Sequence, residues 1–230
     1  MEIALDRKKD ILSALSEAYK DTGTALDYGS PFQLLVATVL AAQTTDVQVN
    51  KATAGLFARY PDPQSMAGAT GETLEPYVRS LGFFRMKAKN IAALAAMLLE
   101  DFSGEVPQTR EELMRLPGVG RKTANVVLSN AFHIPAMAVD THVFRVANRM
   151  GLASGKTPEE VEDQLCRLIP EADWSDAHHW LIWHGRRCCK AQKPDCGGCP
   201  VGEICPRIAA EPLKAKAKPR AKADNARAQK

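Results

Sequence analysis

Residues 116–124 read LPGVGRKTA, a turn with two glycines two positions apart, directly before a predicted helix. Gly118 and Gly120 let the backbone approach a ligand closely. The free N–H groups at the helix start and the helix dipole favour a negatively charged group there. Lys122 follows in the first turn of that helix. The stretch therefore predicts a phosphate-type anion site with a nucleophilic side chain beside it.

Nucleotide-binding motifs fit this segment poorly. A Walker loop needs four residues between its first glycine and its Gly-Lys-Ser/Thr run, whereas these glycines are two apart. A dinucleotide fingerprint needs a preceding strand, and the sequence predicts none there. A helix, a short glycine-containing turn and a second helix are typical of several DNA-binding units. On this segment alone, a plain helix turn with a solvated lysine stays open as the alternative.

Apolar residues at helical spacing recur along most of the chain, and no convincing alternating strand pattern interrupts them. This pattern predicts an all-α fold of many short helices with short connections. A capping box at Thr109–Glu112 opens a short helix that we expect to end at Leu116. The other predicted helices are 5–19, 31–42, 46–60, 71–80, 87–102, 121–132, 141–150, 158–168 and 176–185.

Charge is spread unevenly along the 230 residues, whose net value is +3. Residues 211–230 hold seven Lys or Arg and two acids, a balance of +5, so the rest of the chain carries −2. A folded body that binds nucleic acid must therefore do so through a local patch. The low-complexity tail, 211–230, is predicted to be disordered, either as a solvated end or as a weak tether to phosphate.

The sequence predicts neither a membrane span nor export. No segment reaches the roughly 18 apolar residues that a membrane span needs, and the first residues lack a signal-peptide core. We therefore expect the six cysteines to lie in a reducing compartment, where metal binding is favoured over disulfides.

Asp140 stands directly before a predicted helix, in the stretch 139–142, VDTH. This position predicts an N-cap aspartate. A capping carboxylate is held in one place, which a catalytic carboxylate also requires. The two interpretations are therefore compatible.

Four cysteines near the end of the folded region predict a metal loop: Cys189, Cys196, Cys199 and Cys205. They are separated by six, two and five residues. Structural zinc usually uses two close Cys-x-x-Cys pairs, and this run has only one. A four-iron cluster also takes four cysteines, so the spacing leaves zinc and iron–sulfur both open. Cys188 adjoins one ligand and competes with it, whereas Cys166 is expected in the core.

Taken in order, these three motifs closely resemble the endonuclease III family, the helix-hairpin-helix DNA glycosylases of base excision repair, over roughly residues 8–210. The resemblance implies a [4Fe-4S] cluster on Cys189, Cys196, Cys199 and Cys205. It implies two helical lobes with a DNA groove between them. One is a six-helix barrel domain, residues 24–134, that ends in the hairpin. The other is an iron–sulfur cluster domain of residues 1–23 and 135–210.

The resemblance also implies an activity. Monofunctional relatives lack a lysine at the position of Lys122, so this chain is expected to be both an N-glycosylase and an AP lyase. Lys122 is the implied nucleophile and Asp140 the implied carboxylate. The expected reaction removes oxidised pyrimidines from damaged double-stranded DNA and cuts 3′ to the abasic site by β-elimination. A cytoplasmic, nucleoid-associated bacterial monomer without membrane attachment is expected.

Eight further residues are implied to meet the DNA. Gln43 is expected to fill the space of the extruded base, and Phe83, at a position where the family pattern has leucine, to wedge into the stack. The others are Asp46, Lys87, Gly118, Gly120, His142 and Arg186. Three rivals stay open: a non-catalytic DNA-binding module, an iron–sulfur electron carrier, and a helix-hairpin-helix glycosylase for another base.

Overall fold

The structure is a computed structural model that describes residues 3–210, and every secondary-structure element in that range is helical. The all-α prediction is therefore confirmed for these residues. The tail predicted to be disordered, residues 211–230, lies outside them. None of the helices described is long and apolar enough to cross a membrane.

Twelve α-helices follow one another along the described chain. The first six are α1 (Leu5–Tyr19), α2 (Pro31–Leu40), α3 (Asp46–Arg59), α4 (Pro63–Ala67), α5 (Gly71–Val78) and α6 (Phe84–Phe102). The last six are α7 (Arg110–Leu113), α8 (Arg121–Ala131), α9 (Thr141–Met150), α10 (Pro158–Leu168), α11 (Trp174–Arg187) and α12 (Pro206–Ala210), with a 3₁₀ turn at Glu171–Asp173.

Side-chain caps set where several of these helices begin. The Ser30 hydroxyl accepts the backbone N–H of Gln33 at 3.2 Å, and proline occupies the first position of α2. The Thr109 hydroxyl accepts the backbone N–H of Glu112 at 3.3 Å and so opens α7. That helix ends at Leu113, earlier than predicted, and the chain reaches the glycine turn through further turns.

Left-handed residues displace two helix boundaries from their predicted places. α2 ends two residues early, ahead of Gln43, whose φ is 54°. α6 begins three residues early, directly after Phe83, whose φ is 57°. Two helices, α4 and α12, were not predicted, because five residues are too few to show a helical period.

Buried apolar side chains form two clusters. The first lies within residues 26–136 and is built by helices α2 to α8. The second combines α1 with residues 137–205, which include α9, α10 and α11. The segment between α8 and α9 passes from one cluster to the other. The segment ends at the start of α9, which therefore lies at the junction of the two clusters. The first turn of α8 lies there as well, because its residues line the same cleft as the start of α9.

Candidate active site and metal centre

The two glycines of the α7–α8 turn have different structural roles. Gly118 has a φ of +80°, and a Cβ atom there would lie 2.9 Å from Asn90 Nδ2 and 3.1 Å from Val39 Cγ1. Glycine is therefore required by the fold at this position. Gly120 is the N-cap of α8 with a φ of −99°, and a Cβ there would point into open space. The start of α8 is thus open to a ligand.

Lys122 and Asp140 face the same cleft of about 660 Å³, a volume within the range of ligand sites. The walls of the cleft come from both clusters: the end of α2, the start of α3, α8, α9 and α11. Six of the predicted site residues line it together: Gln43, Asp46, Lys122, Asp140, His142 and Arg186. Phe83, Lys87, Gly118 and Gly120 do not line it.

Asp140 is the N-cap of α9, as predicted. Its Oδ1 accepts the backbone N–H groups of His142 and Val143, both at 2.8 Å. These two bonds hold the carboxylate in one orientation and leave the other oxygen available to a ligand. A carboxylate at this place can therefore stabilise positive charge that develops in the cleft.

The Lys122 side chain is open to solvent from the cleft, yet protein atoms surround it on most other sides. Burial lowers the pKa of this lysine, and the nearby guanidinium of Arg186 lowers it further. The carboxylates of Asp140 and Asp46 raise it in part. Burial prevails, so the pKa lies below the ordinary value of 10.5 and the neutral, nucleophilic amine is more populated.

An ion pair connects the two sides of the cleft. Arg186 Nη1 on α11 lies 2.7 Å from Asp46 Oδ2 on α3. The guanidinium also lies over the ring of Trp183, 5.4 Å from its centroid. Because both partners line the cleft, their charges contribute, together with that of Asp140, to the electric field around Lys122.

The residues predicted to enter the DNA stack lie on two exposed turns. Gln43 is exposed, and Phe83 retains 71% of its accessible surface. Lys87, in the first turn of α6, differs because only 5% of its surface is exposed. Its Nζ donates a hydrogen bond to the Thr44 hydroxyl at 2.7 Å. Direct contact between this lysine and DNA stays a prediction.

Arg145, a residue that was not predicted from the sequence, connects His142 in the cleft with the cysteine loop. Arg145 Nη2 donates to His142 Nδ1 at 3.2 Å, and Arg145 Nε donates to the carbonyl oxygen of Cys189 at 3.2 Å. Arg145 and His142 are three residues apart on α9, a spacing that is visible in the sequence. The contact with Cys189 is not visible there, because it spans 44 positions.

Two histidines of α11 pack behind Lys122 in the same region. The His178 ring bonds through Nδ1 to the carbonyl oxygen of Ala138 at 2.6 Å, and so supports the segment that ends in Asp140. Burial lowers the pKa of His178, as does the neighbouring His179. The imidazole is therefore neutral and adds no charge beside the lysine.

All four predicted metal ligands line one small cavity: Cys189, Cys196, Cys199 and Cys205. Thiolates are the ligands that iron–sulfur clusters use. Arg149 Nη1 lies 3.8 Å from Cys189 Sγ, and Arg207 also lines the cavity, so positive charge is available to balance the thiolates. The donor set and its surroundings fit a [4Fe-4S] cluster.

Two further potential ligands lie next to this cavity. The ligand atoms of His184, Cys188 and Cys199 lie within 4.8 Å of one another. Both extra groups have other partners: Cys188 Sγ donates to the carbonyl oxygen of Asp195 at 3.1 Å, and His184 Nδ1 pairs with the Tyr19 hydroxyl at 3.1 Å. Cys199, one of the four predicted ligands, also contacts this pair, with its Sγ 3.9 Å from His184 Nε2. The choice of the four cysteines as ligands therefore stays a prediction.

A buried carboxylate behind the hairpin was also missed by sequence reasoning. Glu162 on α10 accepts hydrogen bonds from Arg121 Nε at 2.9 Å, Arg110 Nη1 at 3.1 Å and Asn125 Nδ2 at 3.1 Å. Asn125 also donates to the carbonyl oxygen of Met137 at 2.9 Å. The network ties the first turns of α8 to α10 and to the segment that leads to Asp140.

The chain is similar to known repair proteins over most of its length. Residues 36–171 match the HhH-GPD superfamily of base excision DNA repair proteins, and residues 189–205 match the iron–sulfur binding domain of endonuclease III. Endonuclease III of Rickettsia conorii is 51% identical over 195 residues, which are 85% of this chain and 93% of that protein. The Escherichia coli endonuclease III is 47% identical over 199 residues, 86% and 94% of the two chains.

A solved structure shares the fold closely. It is a trapped endonuclease III–DNA covalent intermediate, with a TM-score of 0.86 and 45% sequence identity. The match covers 90% of this chain and 98% of that chain.

Proposed function

The chain belongs to the HhH-GPD superfamily of base excision DNA repair proteins, and we propose that it removes oxidised pyrimidines from double-stranded DNA. It is a DNA glycosylase with AP lyase activity, of the endonuclease III type. One observation carries the proposal for this chain's own residues. Lys122, with its lowered pKa, and the capping carboxylate of Asp140 face one cleft beside the N-terminus of α8.

In the first step, the neutral amine of Lys122 attacks C1′ of the damaged nucleotide. The new N–C1′ bond forms as the glycosidic bond breaks, and the base leaves with the electron pair of that bond and takes up a proton. Positive charge develops on the sugar, as in other glycoside cleavages. The fixed carboxylate of Asp140 stabilises it. A decrease of one unit in the pKa of Lys122 makes deprotonation of its ammonium about 1.4 kcal/mol more favourable.

In the second step, the sugar ring opens and the Lys122 adduct becomes a protonated Schiff base. This cation acidifies the hydrogen on C2′. Loss of that proton forms a C=C bond and expels the 3′ phosphate, which takes the electrons of the C3′–O bond. The strand is thus cut 3′ to the lesion by β-elimination, and hydrolysis of the imine releases Lys122.

The hairpin supplies the phosphate contact of this proposal. The open N-terminus of α8 at Gly120, with Gly118 in the preceding turn, fits a backbone phosphate. Contacts to phosphate position the enzyme and carry no base information. Base extrusion then requires side chains that occupy the opened stack, and the exposed Gln43 and Phe83 fit that need. His142, Asp46 and Arg186 line the cleft that would receive the extruded nucleotide.

The protein carries a [4Fe-4S] cluster, in line with the iron–sulfur domain matched at residues 189–205. We propose Cys189, Cys196, Cys199 and Cys205 as its ligands. When bound, the cluster cross-links the loop that follows α11.

The organisation of the molecule completes the proposal. The lobes are the barrel domain, 24–134, and the cluster domain, 1–23 with 135–210, and the two apolar clusters support this division. The enzyme acts as a monomer on DNA at the nucleoid, in the cytoplasm.

Borohydride trapping tests the catalytic assignment. The enzyme is incubated with a duplex that carries thymine glycol, and borohydride reduces the Schiff base to a stable cross-link. The native protein and Lys89→Ala, which loses an exposed lysine of α6, are expected to trap equally. Lys122→Ala should trap nothing, because no amine remains to attack. Asp140→Asn keeps a good N-cap, so it should fold normally but trap much more slowly.

The same assay separates the rivals. A non-catalytic binder would retain the duplex without any cross-link. A glycosylase for another base would act on a thymine–guanine mismatch or an alkylated purine in preference to thymine glycol. Equal trapping by native protein and Lys122→Ala would remove the lyase assignment.

A further inference from the structure

One buried lysine bonds to both of the exposed turns that carry Gln43 and Phe83. The Lys87 ammonium donates to the Thr44 hydroxyl at 2.7 Å, and Thr44 directly follows Gln43. The backbone N–H of the same lysine donates to the carbonyl oxygen of Phe83 at 3.1 Å. Two turns 40 positions apart in the chain are thus connected through a single residue.

The Thr44 hydroxyl, which accepts the bond from the Lys87 ammonium, also stabilises the turn around Gln43. The Thr44 hydroxyl donates to the carbonyl oxygen of Ala42 at 3.3 Å, and its backbone N–H donates to that of Ala41 at 3.1 Å. A hydrogen bond from a charged donor is stronger than a neutral one and polarises the next bond in the chain. The ammonium therefore reinforces the contact that spans Gln43.

Both exposed residues have a backbone conformation that needs such support. Gln43 and Phe83 are in the left-handed region, with φ of 54° and 57°, although neither is glycine. Left-handed non-glycine residues persist where surrounding contacts hold them. Position 87 contributes to both turns: the lysine side chain bonds to the Gln43 turn, and the backbone N–H makes the first intrahelical bond of α6 to Phe83.

Neither ion pairing nor packing explains a lysine at this position. No carboxylate between residues 3 and 210 lies within ion-pair distance of Lys87, and burial lowers the pKa of its ammonium. Burial of a charge without a counter-ion is unfavourable. A methionine of similar length would fill the same space without this penalty. The distinctive contribution of the lysine is its bond to Thr44.

We propose that Lys87 is a positioning residue for base extrusion. It holds the Gln43 turn and the Phe83 turn in a fixed relation, so that both side chains enter the duplex as one unit. This inference rests on the proposed function, in which those side chains fill and wedge the opened stack. A phosphate contact by the same ammonium would require it to leave its buried place.

Four variants test the coupling: Lys87→Met, Thr44→Val, the double variant, and Lys89→Met as the control. Lys89 is an exposed lysine on the same helix, so its loss removes the same charge without touching either turn. Excision of thymine glycol from a duplex is measured under single-turnover conditions. Lys87→Met and Thr44→Val should each be slower by about tenfold, as expected for one charge-assisted hydrogen bond. The double variant should be no slower than Lys87→Met, because both substitutions remove the same hydrogen bond.

A second substrate separates positioning from chemistry. On a single-stranded oligonucleotide that already contains an abasic site, no base has to be extruded and no gap in a stack has to be filled. All variants are expected to cleave this substrate at the native rate. Lys87→Met and Lys89→Met should unfold at the native temperature, whereas Thr44→Val leaves the buried ammonium without its partner and should unfold earlier. Two results would overturn the positioning role. One is that Lys87→Met fails to cleave the abasic single strand, and the other is that Lys87→Met excises thymine glycol from the duplex as fast as the control Lys89→Met.

The salt dependence of duplex binding distinguishes a positioning contact from a phosphate contact. A lysine that neutralises one phosphate contributes about −0.9 to the slope of log K against log salt concentration. The slope for Lys87→Met should equal the native slope. A slope that is less steep by about 0.9, the contribution of one phosphate contact, would overturn the proposal. Failure of the proposed function itself looks different, because the native protein would then excise no thymine glycol and cleave no abasic site.

Discussion

At Lys122, burial and Arg186 lower the pKa of the amine, whereas Asp140 and Asp46 raise it. The residue can attack a sugar only in its neutral form, whose fraction grows as the pH rises through the pKa. Of the two acids, Asp140 has a proposed role in the chemistry itself. Asp46 and Arg186, which pair with each other at 2.7 Å, therefore offer the cleaner way to change the pKa.

The two members of this ion pair should shift the pH profile in opposite directions. Asp46→Asn removes a charge that favours the ammonium, so the rising limb of the lyase rate should move to lower pH. Arg186→Met removes a charge that favours the neutral amine, so the limb should move to higher pH. The measurement is the single-turnover cleavage rate on a preformed abasic site across pH.

A remote acid is the control for this pair. Glu100→Gln removes an exposed carboxylate at the far end of α6 and should leave the limb in place. If both cleft variants moved the limb the same way, the local electrostatics described for Lys122 would be wrong.

At the scale of the elements, the α7–α8 hairpin combines a fold requirement with a binding requirement in two neighbouring glycines. Gly118 turns the chain where a side chain would collide with Asn90 and Val39. Gly120 leaves the start of α8 uncovered. The same residue type thus serves stability at one position and ligand access at the other.

Alanine at the two positions should separate these roles. Gly118→Ala should lower the free energy of unfolding by at least about 1 kcal/mol, because the left-handed backbone and the close contacts both oppose a Cβ. Gly120→Ala should change it by less than about 0.5 kcal/mol, since a poorer N-cap and a stiffer unfolded chain offset each other. Urea unfolding measures both values.

Binding to an abasic duplex provides the complementary readout. Gly120→Ala should weaken it, because the new methyl group occupies the space in front of the helix start. Native affinity in Gly120→Ala would show that no phosphate approaches this helix end closely.

At the scale of the whole molecule, Glu162 holds together elements of the two apolar clusters. Its side chain on α10 is 8% exposed and binds Arg110 and Arg121 from the hairpin. Asn125 joins the same carboxylate to the segment before Asp140. The network therefore contributes to the fixed placement of Lys122 relative to Asp140.

Removal of this buried charge should be costly. Glu162→Gln removes the carboxylate that two guanidinium groups share. Because both arginines are 37% exposed, the free energy of unfolding should fall by roughly 2 kcal/mol, the range of hydrogen bonds to a charged group. The matched control is Asp163→Asn, since Asp163 is 59% exposed and lies 3.7 Å from Arg121. The control should lose less than about 1 kcal/mol. Equal losses in urea unfolding would show that the burial of Glu162 is unimportant.

The cysteine loop also concerns the whole molecule, because its cavity is closed by residues of α9, α11 and α12. The purified protein should be brown and contain about four iron atoms per chain, as a [4Fe-4S] cluster requires. Cys196→Ser should lose the colour and most of the iron. Cys188→Ser and Cys166→Ser should keep both, and iron loss in Cys188→Ser would revise the ligand set.

The sequence by itself determined the features that depend on local chemistry. Helical periodicity, the Ser30 and Asp140 caps and the glycine turn all appear in the structure, because each is set by residues within about one helical turn. The order of the hairpin, the aspartate and the cysteines was likewise sufficient for the family. The caps and the turn depend on short-range hydrogen bonds, so they can be predicted without the tertiary structure.

Only the tertiary structure decided how distant residues share a function. It places Lys122, Asp140, Asp46 and Arg186 around one cleft although they span 140 positions. It buries Lys87 against Thr44, 43 positions away, and surrounds Glu162 with partners 37 to 52 positions away. Such contacts depend on how two apolar cores pack, and helical periodicity carries no information about which faces meet.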